Sequence, residues 1–299
     1  MMGAAEVVPG VSGGTIAFVS GFYDRLIFAI QRFTPTNLWS MRILGIRGMW
    51  QELEINFLLM LFGSMLVSIV LLAGGVSFLL EHHPVVIWSF FVGLILASVY
   101  SVGRRLNISL ETALGLVVGV TVGYAMTRLA PVEADATPLA LFTGGCIAIC
   151  AWILPGLSGS FVLLILGLYQ TVILAIRDFE LLVLAYVGVG CAVGIIAFSR
   201  ILSVLLARFH NATVAVLVGI MIGALPKIWP WKRTTSYLIG DDGKQIPVVQ
   251  EPVTPLAYEQ LNNLDPYLVE AVLAGLAGAV IILLLDRFAM LSNESRDVS

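Results

Sequence analysis

Charged residues are scarce in this 299-residue chain, since only 12% of its residues are Asp, Glu, Lys or Arg. Soluble domains carry about 25%. Hydrophobic residues make up 59%, and the mean hydropathy is +0.98. A globular core cannot bury so much apolar surface, so the sequence predicts a multi-pass membrane protein. The basic residues are too sparse and dispersed for a nucleic-acid-binding surface.

Cysteine and histidine are also rare, with three residues of each. Cys146, Cys150 and Cys191 all fall in apolar segments, where we expect packing and neither a disulfide, a metal site nor another cofactor. The histidines lie at the ends of predicted spans. Hydrolysis needs a positioned nucleophile, acid/base pair or metal, so an enzyme is a weak alternative. No basic segment precedes an apolar run at the N-terminus, and we expect no cleavable signal peptide.

One short motif occurs twice, as VPGVSGGT at 8–15 and LPGLSGSF at 154–161. The offset is 146 residues without a gap, and it continues where GFY at 21–23 matches GLY at 167–169. A Pro-Gly break frees backbone N–H groups, which a membrane tolerates only where protein or a water-filled cavity satisfies them. Broken helices at matching places in two halves indicate the binding site of a transporter.

The predicted fold is all-α, with two repeats at 1–132 and 133–299, each combining a motif-containing helical hairpin with three spans. About 20 apolar residues suffice to cross a membrane. A hairpin returns the chain to its starting side, and three spans then carry it across. The repeats are therefore predicted to have inverted topology, with the motifs approaching the midplane from opposite faces. The motif hairpins are predicted at 1–30 and 138–176, and the spans at 57–80, 85–101, 110–129, 181–206, 212–228 and 269–285.

The distribution of basic residues predicts the orientation. In the predicted topology, one side carries Arg25, Arg32, Arg42, Arg47, Arg104, Arg105, Arg200, Arg208, Arg287 and Arg296. The other side carries Arg128, Arg177, Lys227, Lys232, Arg233 and Lys244, mostly around one long loop. By the positive-inside rule, both termini are predicted to be cytoplasmic and the loop at 229–266 external.

The motif has the chemistry of an anion site. Proline fixes φ, glycine permits close backbone approach, and serine or threonine caps a helix. Free N–H groups and small side chains ahead of an apolar helix suit a phosphate. The alternative is a serine-capped helix break that only permits close packing. The candidate phosphate-binding residues of the two motifs are Pro9, Gly10, Ser12, Gly13, Gly14, Thr15, Pro155, Gly156, Ser158, Gly159 and Ser160.

Three charged residues are candidates for supporting the anion site. Arg25 follows the first motif helix, and Arg200 lies at the end of a span. Either arginine can instead extend to the membrane interface without binding a ligand. Glu6 precedes Pro9 and is the one acid next to a motif, which makes it a candidate for proton coupling or else an exposed terminal acid.

These segments resemble the bacterial polyprenyl-phosphate transporters of the PopT type. The resemblance rests on EVVPGVSGGT at 6–15 followed by GFYDRL at 21–26, and on ILPGLSGS at 153–160. It covers nearly the whole chain. It implies a transporter of the bacterial plasma membrane that returns undecaprenyl phosphate from the outer to the inner leaflet, with the two turns and Arg25 at the head group. Relatives usually have an apolar arm before the first motif, whereas here Met1 stands only eight residues before Pro9.

Inward transport of a lipid phosphate needs a driving force. Against a potential that is negative inside, it costs about 2.3 kcal/mol per charge per 100 mV. Proton or cation co-transport would serve as the driver, and so would consumption of the lipid inside; we expect an alternating-access carrier with proton or cation coupling. A small-anion channel or carrier remains the first alternative, and a polyprenyl pyrophosphate phosphatase the second. Glycines 115, 119 and 123 are predicted to pack helices, and such faces allow a homo-oligomer.

Overall fold

The computed structural model describes residues 3, 12–33, 48, 50–129, 135–239, 245–262 and 264–297. The described chain is almost entirely helical, with one two-stranded antiparallel sheet. The helices are α1 (Gly13–Val19), α2 (Tyr23–Gln31), α3 (Ile55–His82), α4 (Pro84–Gly103), α5 (Leu110–Arg128), α6 (Pro138–Ile153), α7 (Gly159–Ile165), α8 (Tyr169–Arg177), α9 (Leu181–Arg208), α10 (His210–Ile228), α11 (Pro255–Asn262) and α12 (Leu268–Asp297), and the strands are β1 (Lys232–Ile239) and β2 (Gln245–Pro252).

Six helices of the described chain are long and apolar enough to cross a membrane: α3, α4, α5, α9, α10 and α12. The prediction of an all-α, multi-pass membrane protein is therefore confirmed. Of the apolar 18-residue stretch in each span, 56% is buried in α4 and 61% in α10, against 11–17% in the other four helices. The molecule thus has two central spans, and the other four turn apolar side chains outward, where a membrane protein meets lipid.

The two motif hairpins have matching helix boundaries. Helices α7 and α8 begin and end 146 residues after α1 and α2, which is the offset of the sequence motif. Between α7 and α8 the chain bends by 114°. The turns contain Gly21 at φ +75° and Gly167 at φ +71°, where a side chain would be strained. The arm that follows each motif is therefore a helix broken at a glycine, α1–α2 after the first motif and α7–α8 after the second.

The second span of each half packs against the third span of the other half. Along α5, Gly115, Gly119 and Gly123 lie against the backbone of α10, and a Cβ on Gly123 would approach the Ile220 carbonyl to 2.5 Å. Along α4, Gly93 lies against Gly275 of α12. In both pairs the contacts advance along the two helices together, so each pair is parallel. Glycines allow this close approach of helices in a membrane.

The three thiols all lie between α6 and α9. Cys146 donates to the Gly190 carbonyl at 3.0 Å, and Cys191 approaches the Gly145 carbonyl at 3.4 Å. Cys150 is 3.8 Å from the carbonyl of Gly194. The thiols therefore fill a helix interface lined by small residues.

The segment between α10 and α12 is more ordered than the external loop that the sequence predicts. It forms the β1–β2 hairpin and α11. Trp229 donates to the Val253 carbonyl and Trp231 to the Pro266 carbonyl, each at 2.9 Å. Trp231 packs with Val85 at the start of α4 and with other buried residues of this end. The segment therefore covers the ends of α4 and α12 at which those helices begin.

The opposite ends of α4 and α12 are joined by charges. Asp286 of α12 is buried, with 3% of its side chain exposed. Arg104 donates to it at 2.6 Å, and Arg105 forms a second ion pair with its other oxygen. The two arginines are 42% and 47% exposed. This cluster anchors α12 to the end of α4.

Candidate functional site

The second motif forms a buried turn between α6 and α7. Pro155 and Gly156 are buried, and Gly156 has φ +87°. A Cβ on Gly156 would lie 2.9 Å from the Cα of Met221 in α10. Only glycine fits this conformation and this contact. The turn is thus held tightly against a central span.

Two serines of the second motif stand at the start of α7. Ser158 occupies the N-cap position, but its side chain makes no capping hydrogen bond. Its hydroxyl instead lies 2.9 Å from that of Ser160. Ser158 is 9% exposed, whereas Ser160 is exposed. This hydroxyl pair therefore reaches the protein surface and is open to a ligand.

The first motif binds the end of α6 through Ser12. Its hydroxyl accepts from the Gly14 N–H and donates to the Trp152 carbonyl, each at 3.1 Å. A Cβ on Gly14 would approach the Ile153 carbonyl to 2.6 Å. Ser12 is 1% exposed. This serine is therefore both a helix cap and a link between the two halves.

The two motifs are in direct contact. The Gly156 N–H donates to the Thr15 hydroxyl at 3.0 Å, and the Tyr23 hydroxyl donates to the Ile153 carbonyl at 3.2 Å. Thr15 and Tyr23 are 0% and 2% exposed. A buried backbone group without a partner is costly in an apolar interior. Side chains of the first motif region therefore satisfy backbone groups that the break in the second would leave open.

The sequence-predicted residues have different surroundings. The structure brings together Ser12, Gly13, Gly14 and Thr15 with the second turn. Gly159 packs on α6, where its Cβ would lie 2.7 Å from the Ala148 carbonyl. Glu6, Pro9 and Gly10 lie outside the described residues. The phosphate-binding role of all these residues stays a prediction.

Arg25 lies on α2 of the first hairpin, and its side chain meets Glu54 and Phe57 rather than a motif turn. Its Nε donates to Glu54 at 2.6 Å, and its guanidinium stands 4.3 Å from the centre of the Phe57 ring. Arg32 shares Glu54 at 3.5 Å. The Arg25 side chain is 59% exposed. A ligand reaching it competes with a carboxylate in a partly solvated position.

Arg200 lies on the exposed side of α9. One turn away, Ser203 donates to the Arg200 carbonyl and forms a short hydrogen bond with Gln31 of α2. In the part of the chain that the structure describes, no hydrogen bond joins Arg25 or Arg200 to a motif turn. Both remain predicted supports.

An apolar groove runs beside Arg25. Its lining is Phe22, Phe57, Met60, Leu61 and Ser64, and its volume is about 270 Å³. The groove is open to the outside of the protein and lies between Phe22 of the first hairpin and α3, whose Met60 is 69% exposed. Its lining suits a hydrocarbon chain and offers one hydroxyl.

The sequence analysis missed Lys227 as a candidate. Its ammonium stands 4.0 Å from the centre of the Phe161 ring, and Phe161 directly follows Ser160 on the motif helix α7. The sequence analysis counted Lys227 only as a charge beside an external loop. Its position inside the last turn of an apolar span, next to Pro226, was the signal that distinguishes it from the loop lysines.

The contact between the motifs predicts an effect of Thr15→Val. Valine keeps the volume but leaves the buried Gly156 N–H without its acceptor, which costs about 1–3 kcal/mol. We expect a lower unfolding temperature in detergent micelles, and recovery with Thr15→Ser. The control is Thr121→Val, because the Thr121 hydroxyl binds only its own helix, at the Val117 carbonyl. Equal effects at the two positions would show that this hydrogen bond does not hold the motifs together.

Comparisons with known proteins give consistent results. The family described as undecaprenyl phosphate translocase-like matches residues 2–246. A polyprenyl-phosphate transporter of Vibrio cholerae serotype O1 is 43% identical over 289 residues, which is 96% of this chain and 94% of that protein. A polyprenyl-phosphate transporter of Staphylococcus aureus is 29% identical over 248 residues, 77% of this chain and 83% of that protein. The family and both relatives are described as transporters, not enzymes. No solved structure matches.

Proposed function

Because the chain belongs to the undecaprenyl phosphate translocase-like family, we propose that it carries undecaprenyl phosphate from the outer to the inner leaflet of the bacterial plasma membrane. The observation that carries the proposal is the contact of two polar, broken-helix turns inside an otherwise apolar bundle. Membrane proteins keep such breaks where they line a site. The relatives' names provide the substrate class.

The head group is proposed to bind at the motif turns. A phosphate monoester carries about −1.5 to −2 charges near pH 7. An unpaired charge of this size is very costly in hydrocarbon. The open hydroxyls of Ser158 and Ser160 supply hydrogen bonds. Arg25 supplies positive charge on the side of the first hairpin.

The polyprenyl tail is proposed to stay beside the bundle. The groove between the first hairpin and α3 supports this, because it is apolar, open to the outside of the protein and next to Arg25 through Phe57. A tail in the groove would leave the long isoprenoid in lipid while the phosphate enters the protein. The protein then needs to enclose only the head group.

Alternating access between inverted repeats is the proposed mechanism. Parallel packing of α4 with α12 and of α5 with α10 supports inversion, because two repeats of the same topology would make the helices of each pair antiparallel. The inward movement of a dianion needs a driver. We propose proton or cation coupling with Glu6 as a candidate, both termini being cytoplasmic.

Transport is tested with liposomes that carry a fluorescent polyprenyl phosphate in both leaflets. A membrane-impermeant phosphatase added outside hydrolyses only the outer-leaflet pool unless the protein moves the lipid. We expect the purified full-length protein to make the whole pool accessible. A matched lipid with a diphosphate head group tests selectivity. An accessible pool that the protein leaves unchanged contradicts the proposal, and uptake of inorganic phosphate alone favours the small-anion alternative.

The site is tested with Ser160→Trp in the same assay. Ser160 is exposed, so a bulky side chain there blocks the hydroxyl pair without disrupting a packed core. We expect loss of most transport with an unchanged unfolding temperature. The matched control is Ser77→Trp on the outward side of α3. Transport by Ser160→Trp at the level of Ser77→Trp would remove this motif from the site.

A further inference from the structure

Two lysines meet aromatic rings at the same end of the bundle. Lys227, in the last turn of α10, stands 4.0 Å from the centre of the Phe161 ring of α7. Lys232, at the start of β1, stands 3.5 Å from the centre of the Trp88 ring of α4. Cations at such distances are held by the faces of the rings. The contacts place the Lys227 ammonium beside the second motif hairpin and the Lys232 ammonium beside α4.

These lysines differ from the arginines in their partners. Arg25, Arg104, Arg105 and Arg177 each pair with a carboxylate. Among the ion pairs of the described residues, none includes Lys227 or Lys232. Lys227 and Lys232 are both partly buried. Two partly buried amines therefore lie at the same end of the bundle, without an acidic partner in the described chain.

The electrostatics of Lys232 agree with this geometry. Burial lowers its pKa well below the usual range for lysine, and the charge of Lys227 lowers that pKa further. Two like charges in a partly desolvated place are unfavourable unless an anion joins them. An anion there would neutralise both.

We infer that Lys227 and Lys232 form a binding site for a phosphate monoester at this end of the bundle, beside the second motif. The charges match, because two ammonium groups balance the −1.5 to −2 charges of a monoester, whereas a phosphodiester lipid carries only one. Phe161 and Trp88 provide apolar surface next to the charges. A lipid with a monoester head group fits both features.

In the described part of the first half, the position equivalent to Lys227 does not hold a lysine. Helices α4 and α10 begin 126 residues apart, at Pro84 and His210, and the same offset aligns Ser101 with Lys227. Ser101 is buried, and its hydroxyl has no hydrogen-bond partner within the described residues. The lysine pair therefore belongs to one face of the membrane only. In the predicted orientation this is the external face, where the lipid would be captured.

That the bound phosphate belongs to a lipid rests on the proposed function, whereas the binding of a phosphate group by the two lysines does not. The full-length protein in phosphatidylcholine nanodiscs is titrated with farnesyl monophosphate, farnesol and inorganic phosphate. We expect Lys227→Met with Lys232→Met to weaken farnesyl monophosphate binding at least about 30-fold. Farnesol binding should not change. The variant with Lys227→Arg and Lys232→Arg keeps both charges and should retain most of the binding of farnesyl monophosphate.

The matched control is Arg128→Met, which removes an exposed cation 5.7 Å from the ring centre of Tyr124. Its affinity should stay close to that of the unaltered protein. Normal farnesyl monophosphate binding by the double methionine variant would overturn the site. Equal affinity for inorganic phosphate would keep the site but overturn the lipid source. Lysine-dependent binding without transport in the liposome assay would refute the proposed function and leave the site standing.

Discussion

Replacement of Gly156 by alanine is expected to separate the two motif turns. The residue has φ +87°, where a side chain costs about 1–3 kcal/mol of backbone strain. The new Cβ would also lie 2.9 Å from the Cα and 3.3 Å from the N of Met221. These are backbone atoms of a central span, so neither can move aside cheaply. With an overpacking cost of about 1–3 kcal/mol, the total loss is about 2–6 kcal/mol.

The measurement is thermal unfolding in detergent micelles together with the liposome assay. Gly21→Ala is the matched control, because Gly21 has φ +75° but no atom within 4 Å of a new Cβ. It carries the strain without the contact. We expect Gly156→Ala to lower the unfolding temperature more than Gly21→Ala and to abolish transport. An equal drop in unfolding temperature for the two variants would mean that α10 shifts at Met221 and does not hold the second motif turn in place.

Removal of Arg104 and Arg105 together is expected to have the second large effect. Methionine at both positions leaves the Asp286 carboxylate buried without its partners. Breaking a buried pair from one side costs about 3–5 kcal/mol, and we expect about 3 kcal/mol because the arginines are nearly half exposed. The loss should appear as a lower unfolding temperature. Transport should fall with it, since α12 is anchored here to α4.

A triple variant that adds Asp286→Asn tests the cause. It removes the unpaired charge, and we expect it to recover much of the lost stability. Arg177→Met is the matched control, because Arg177 pairs with the exposed Asp178 at 2.9 Å, and it should leave the unfolding temperature unchanged. A triple variant as unstable as the double variant would show that the arginines stabilise this end by packing rather than by charge.

Much of the fold could be predicted from hydropathy and from the repeated motif. A helix matches each of the six predicted spans to within a few residues, because a helix satisfies the backbone hydrogen bonds of an apolar run within the run itself. The gapless offset of 146 residues also predicts that the motif hairpins share boundaries, as α1 and α7 do. Glycines 115, 119 and 123 lie in a helix interface, as predicted.

The contacts within the candidate site could not be predicted from hydropathy or from the repeated motif. Thr15 and Gly156 are 141 residues apart, and no local periodicity indicates that a hydroxyl of one motif binds the backbone of the other. The β1–β2 hairpin departs from the predicted loop at 229–266, because hydropathy indicates only that this stretch does not span the membrane. Lys227 was missed because its relation to Phe161 depends on how α7 and α10 pack.

The exchange of partners between the halves also constrains biosynthesis. Gly93 meets Gly275, which is made 182 residues later, since 275 − 93 = 182. At ordinary rates of translation this interval lasts about 10–40 s. During that time α4 lacks the helix that covers its glycine face. By contrast, Gly219, the partner of Gly119, is synthesised only 100 residues later. The nascent chain must therefore be kept in an open, unfinished state until its last helix enters the membrane.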